Sequence, residues 1–190
     1  MAALIERYGP TSPRQRRRFP PMDTFAELCR IVVFQQVSTA AGRSIWAKLC
    51  AATAAPPTVE AVLACADLRA CGLSGRKAEY VRGLAEGVAG GDVDLGALGS
   101  MSDDEVIEQI TAIRGFGRWS AEMLLIFHLN RPDVLAPNDI GIRRGLQFAL
   151  GLEGMPSEAE VAERAELWKP HRTLASMYLW SIAGDGAAPA

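Results

Sequence analysis

Histidine is scarce in this 190-residue chain, with only His128 and His171, and the four cysteines, Cys29, Cys50, Cys65 and Cys71, form no Cys-x-x-Cys pair. That spacing excludes the usual zinc-binding patterns. Each cysteine has a leucine close by in sequence (Leu28, Leu49, Leu63, Leu68), so reduced and mostly buried thiols are expected. Long apolar runs are missing too, and no stretch approaches the roughly 18 uncharged residues of a membrane span. The start, Met1-Ala-Ala-Leu-Ile-Glu, lacks the basic and apolar segments of a secretory signal, so a cytoplasmic location is expected. No segment alternates apolar and polar residues for long enough to form a strand. Strong net charge is also absent. A net −2 argues against a chain that coats nucleic acid indiscriminately.

What is present is an ordinary globular composition, 49% hydrophobic and 22% charged, in a chain long enough to fold around its own core. The charge is uneven. Residues 1–22 carry Arg7, Arg14, Arg16, Arg17 and Arg18 against Glu6, and Arg114, Arg118, Arg131, Arg143 and Arg144 outnumber the acids between 114 and 144. Two basic regions on an acidic body suit a localised anionic partner. The apolar period is helical almost throughout. Thr24-x-x-Glu27, Ser102-x-x-Glu105 and Ser157-x-x-Glu160 match capping boxes. Caps and breakers together predict helices over 2–8, 24–37, 39–53, 58–65, 75–89, 103–113, 118–129, 140–150, 158–168 and 171–183. The expected fold is all-α. Residues 1–22 form a helix and basic arm, 23–183 the main domain and 184–190 a mobile tail.

The segment Ile113-Arg-Gly-Phe-Gly-Arg-Trp-Ser-Ala carries the most information. One helix ends, two glycines flank an apolar residue, and another helix begins. Such a turn leaves backbone N–H groups uncovered at a helix N-terminus, a natural seat for a phosphate oxygen. Taken alone it is equally a glycine-stopped helix. About twenty residues on, Asp139 in Ala136-Pro-Asn-Asp-Ile-Gly precedes a new helix, where an aspartate taken alone is an N-cap. Taken together, the two features resemble the helix-hairpin-helix DNA glycosylase superfamily.

Four motifs narrow the resemblance to the 3-methyladenine DNA glycosylase II family. They are Gln35-Gln-Val-Ser38, Gly72-Leu-Ser-Gly-Arg-Lys-Ala78, Gly115-Phe-Gly-Arg-Trp-Ser-Ala121, and Trp168-Lys-Pro-His-Arg172 with Trp180. They follow the family order and cover residues 23–183. The chain resembles the compact form, since it has no room for the N-terminal β domain of the longer bacterial form. It also has Pro137-Asn138-Asp139 where the family commonly has Pro-Asp-Asp.

The resemblance implies two helical lobes, about ten helices in all, with the active-site cleft between them. It implies a base-excision-repair enzyme that flips alkylated purines such as 3-methyladenine and 7-methylguanine out of duplex DNA and hydrolyses the N-glycosidic bond. Asp139 is then the catalytic carboxylate, opposing positive charge on the sugar and helping to orient water. Where relatives that also cut the strand have a lysine nucleophile, this chain has Trp119, so the enzyme is expected to lack lyase activity. An aromatic face suits a cationic base. Trp180 matches a second pocket aromatic, and Met123, one turn after Trp119, stands where an aromatic is common. Gln36 aligns with the intercalating residue, commonly a leucine. Gly115, Gly117, Arg118 and Ser120 form the DNA-gripping hairpin, with Arg76 and Lys77 as further phosphate contacts. No iron–sulfur cluster is expected, because all four cysteines precede Asp139. The resemblance allows a Na or K ion on the carbonyls around Gly115 and Gly117. A monomer acting on double-stranded DNA, associated with the nucleoid when bound and with no membrane, is the expected assembly. The competing readings are the same scaffold tuned to deaminated or other lesions, and a non-catalytic sensor of DNA damage.

Overall fold

The computed structural model describes Glu6, Gly9, residues 22–53 and residues 56–185. The expected helix 2–8, the arm and the tail fall almost wholly outside them. Among the described residues every regular element is helical. The order is α1 (Thr24–Phe34), α2 (Thr39–Thr53), α3 (Val59–Ala64), α4 (Gly75–Gly90), α5 (Asp103–Ala112), α6 (Arg118–Phe127), α7 (Ile140–Leu150), α8 (Glu158–Ala165) and α9 (Arg172–Asp185). Short 3-10 turns lie at Leu68–Cys71, Ala97–Ser100 and Glu166–Trp168. No described helix is long and apolar enough to cross a membrane.

Side chains at the helix starts set most of these boundaries. Ser102 with Glu105 and Ser157 with Glu160 form reciprocal capping boxes at α5 and α8, as their spacing predicts. The first predicted box is corrected. Asp23, not Thr24, caps α1 by accepting from the Ala26 N–H at 2.7 Å, and Glu27 is buried in an ion pair with Arg30. A glutamate paired with an arginine on its own helix is not available to reach back to the cap. Helix α1 also stops three residues earlier than its apolar pattern suggests. Gln36 takes a left-handed conformation, φ 52°, and the Ser38 hydroxyl accepts the Ala41 N–H of α2 at 3.2 Å. Helix α6 ends early in a similar way, with Asn130 at φ 55° and its side-chain amide donating to the His128 carbonyl at 2.8 Å. His128 is half-buried and His171 exposed, as expected. The cysteines are all reduced. Cys29 and Cys71 are buried, whereas Cys50 and Cys65 are partly exposed.

The described residues divide into two compact units, 22–124 and 125–185 with Glu6 and Gly9, and the division falls inside α6. In the first unit α1 packs on α2 and α4, and α3 lies along α4. Leu28, Leu49, Leu84, Leu98, Ile110 and Leu124 are among its fully enclosed large side chains. In the second unit α7 lies directly on α9, and α8 touches α7. Its core includes Ile142, Leu146, Val161, Met177 and Tyr178, with the Tyr178 hydroxyl donating to the Gly9 carbonyl at 2.9 Å.

Candidate functional site

The first unit builds the hairpin. Ile113 ends α5 in an extended conformation, and the N–H of Phe116 returns to its carbonyl at 3.1 Å. Gly115 has φ +94°, and a Cβ there would lie 2.2 Å from the ring of Tyr80 on α4. Its glycine is therefore required twice, by conformation and by close packing. Phe116, 4% exposed, anchors the turn in the core. Gly117 is different. It is exposed, its φ is not positive, and a Cβ would meet nothing within 4 Å. Among the described residues nothing demands a glycine there. The carbonyl of Gly117 accepts the Ser120 and Ala121 amides at 2.9 and 3.2 Å, which starts α6. The first amides of a helix have no carbonyl one turn earlier to bond, and here they follow an open, exposed glycine.

The turn between α1 and α2 is attached to this hairpin by a residue that spacing did not reveal. Gln35 Nε2 donates to the Gly115 carbonyl and to Ser120 Oγ, both at 3.1 Å. Ser120, expected at the DNA, is only 2% exposed, and its hydroxyl accepts from Gln35. Burial thus gives it a bracing position rather than a surface one. Lys77 is likewise engaged within the chain. Its Nζ donates to the carbonyls of Val33 at 2.8 Å and Gln35 at 2.7 Å. These belong to the last turn of α1 and to its C-cap, where carbonyls lack helical partners. Lys77 thus caps that helix end from across the fold, on α4, and partial burial pushes its amine below the ordinary lysine range. Gln36 stands exposed at the apex of the turn these bonds brace, and Arg76 is exposed on the first turn of α4.

Arg118 donates through Nε to the carboxylate of buried Glu122 at 2.9 Å, while its own side chain remains 64% exposed. Its charge is partly balanced, yet most of its surface faces solvent. Trp119 is half-buried and Met123 is 6% exposed.

The second unit holds the aspartate. Asp133 is gripped by Arg172, whose Nε donates to Oδ1 at 2.8 Å and whose Nη2 donates to Oδ2 at 3.0 Å. The Arg172 backbone N–H adds a third bond to Oδ1 at 3.1 Å. The guanidinium beside it holds the Asp133 carboxyl below the usual range. Thr173 accepts the Val134 N–H at 3.0 Å and donates to the Arg131 carbonyl at 2.7 Å. The start of α9 therefore fixes the segment leading to Asp139, and this is the structural work of the Trp168–Arg172 motif. Asp139 caps α7, with Oδ1 accepting the Ile142 N–H at 2.9 Å and the Trp180 indole N–H at 2.8 Å. The N-cap reading of this aspartate holds. It is an N-cap, and it is a half-buried carboxylate held by two donors. Phe127 stacks on Trp180, with ring centroids 5.5 Å apart.

The described residues are thus helical, with a two-glycine hairpin and a helix-capping, indole-bonded carboxylate. A family model for HhH-GPD superfamily base excision DNA repair proteins matches residues 29–170. The chain belongs to this superfamily, and it is a DNA glycosylase. It is 33% identical over 188 residues to DNA-3-methyladenine glycosylase 1 of Schizosaccharomyces pombe, covering 96% of this chain and 80% of that one. It is 34% identical over 175 residues to the DNA-3-methyladenine glycosylase of Saccharomyces cerevisiae, covering 86% and 58%. The solved structure of the S. pombe 3-methyladenine DNA glycosylase in complex with abasic DNA superimposes with a TM-score of 0.86, over 95% of this chain and 89% of that one.

Proposed function

We infer that this chain is a monofunctional DNA-3-methyladenine glycosylase that removes alkylated purines, including 3-methyladenine and 7-methylguanine, from duplex DNA. The observation that carries the reading is Asp139, a carboxylate held by the Ile142 amide and the Trp180 indole. The hairpin supports DNA as the partner. Gly117 leaves open the space a phosphate needs, beside the first amides of α6 and the exposed end of Arg118.

The damaged nucleotide leaves the stack, at a cost of a few kcal/mol. Gln36, exposed at its braced turn, fills the vacated place and suits a hydrogen bond to the orphaned base. The aromatic face of Trp119 favours a base carrying positive charge, by about 0.5–2 kcal/mol. As the bond from C1′ to the base nitrogen breaks, its electron pair leaves with the cationic base, which becomes neutral. Positive charge then develops on the sugar. A carboxylate at about 4 Å, with an effective dielectric of about 20, stabilises it by ~4 kcal/mol. That amounts to about three powers of ten in rate. Water adds to C1′ and its proton passes to the solvent. An indole at position 119 cannot form a Schiff base, which supports hydrolysis with the strand left intact. All four cysteines precede Asp139, which supports a reading without an iron–sulfur cluster.

The test is base release from duplexes bearing 3-methyladenine, 7-methylguanine, hypoxanthine or uracil, with strand integrity followed in parallel. Methylated purines are expected to be released and the abasic strand to remain whole. Asp139→Asn should lower release about a thousandfold while lesion binding persists. Release of uncharged bases alone would remove the cationic-pocket reading. Binding to abasic DNA without release of any base would make the chain a damage sensor.

A further inference from the structure

The bond from Trp180 to Asp139 exists because two positions on α7 have no side chain. Gly141 and Gly145 lie one turn apart on that helix. A Cβ on Gly145 would lie 2.1 Å from the carbonyl oxygen of Leu179 and 2.6 Å from its carbonyl carbon. Those atoms are backbone, so no flexible group could give way. One turn earlier, a Cβ on Gly141 would lie 2.7 Å from Cδ1 of Trp180, 3.0 Å from its Nε1 and 3.0 Å from Oδ1 of Asp139. The two glycines therefore let α7 settle onto the α9 backbone at Leu179. There the indole edge lies against the first turn of α7, and its N–H meets Oδ1 at 2.8 Å. Phe127, stacked on the indole, limits its rotation. A pocket wall needs only an aromatic face, and a phenyl ring supplies that. The indole N–H aimed at the carboxylate is a separate feature.

We propose that Trp180 is a positioning residue for Asp139, and that Gly141 and Gly145 are the small residues that admit it. The indole and the Ile142 amide together fix the carboxylate's rotation, so that it faces the reacting sugar without having to reorganise as charge develops. This inference rests on the catalytic reading of Asp139.

The experiment is a double-mutant cycle on the full chain, with single-turnover excision of 7-methylguanine measured above spontaneous release. Trp180→Phe keeps a ring and removes the N–H. Its maximal rate is expected to fall about tenfold to a hundredfold, the size of a lost hydrogen bond to a charged group, with affinity for abasic duplex changed less than about twofold. In an Asp139→Asn background, the same substitution should change the residual rate less than about twofold. Gly141→Ala should lower the rate to a similar extent, and combining it with Trp180→Phe should add nothing. Thermal melts of each variant show whether the fold is kept. A loss in DNA affinity at unchanged maximal rate would overturn the proposal, as would an undiminished effect in the Asp139→Asn background. If Asp139→Asn alone excises at the parent rate, the catalytic reading itself fails, and the two failures are thereby told apart.

Discussion

Gly115 and Gly117 have the same side chain and opposite reasons for it. The first is required by the protein, through a left-handed backbone and the ring of Tyr80. The second meets nothing within 4 Å, and on the proposed function its open side is where a DNA phosphate sits. The two alanine substitutions should therefore separate. Gly115→Ala should lower the melting temperature, since overpacking of this kind costs about 1–3 kcal/mol and each kcal/mol is about 2–4 °C in a chain of this length. Gly117→Ala should melt like the parent and bind abasic duplex about tenfold more weakly, because the added methyl group meets the phosphate. A binding isotherm beside each melt checks both, and an unaltered affinity for Gly117→Ala would remove that glycine from the interface. At this scale the sequence was readable in part. It marked both glycines, Asp139 and Trp119, but it did not show that Ser120 and Lys77 each bond to another part of the chain.

Among the elements, the turn between α1 and α2 shows how a loop is held in place. Lys77 caps the end of α1 from α4, and Gln35 ties the same turn to the hairpin. Lys77→Met keeps the aliphatic stem and leaves the carbonyls of Val33 and Gln35 without their donor. A stability loss of about 1–3 kcal/mol is expected from a melt. Weaker flipping of the target base should accompany it, read as a smaller rise in 2-aminopurine fluorescence beside the lesion. The salt dependence of binding should stay the same, since Lys77 then contributes no phosphate contact. A flatter salt slope would return Lys77 to the DNA. The helix boundaries themselves were largely readable, because Ser38, Ser102 and Ser157 act on amides three residues away. The early end of α1 was not, since its cap comes from a lysine more than forty residues further along the chain.

For the molecule as a whole, pH reports on the second unit. The Asp133 carboxyl is held below its ordinary range, first by the side-chain hydrogen bond from Arg172. A carboxyl with a lowered folded-state pKa adds stability that is complete above its unfolded pKa of about 4. That stability is lost as pH falls through the lower folded-state value. Acid unfolding should therefore begin at higher pH in Arg172→Met than in the parent. The difference between the two melting curves below about pH 4 should narrow as Asp133 becomes protonated in both. A constant difference across the acid range would mean that Arg172 stabilises the chain by packing alone.

The helical class, the hairpin, the acidic cap at Asp139 and the aromatic at Trp119 could all be read from the order of residues. Capping, turn formation and amphipathic period act over three or four neighbours, and those neighbours are visible in a linear string. Packing alone decided the rest. Gln35 reaches Gly115 and Ser120, Arg172 grips Asp133, and Trp180 turns its N–H to Asp139. Each bond joins groups dozens of residues apart, at distances set by how closely two segments of the fold approach. That approach depends on a missing Cβ at Gly115, Gly141 and Gly145, and a glycine reveals which neighbour it admits only once the chain is folded.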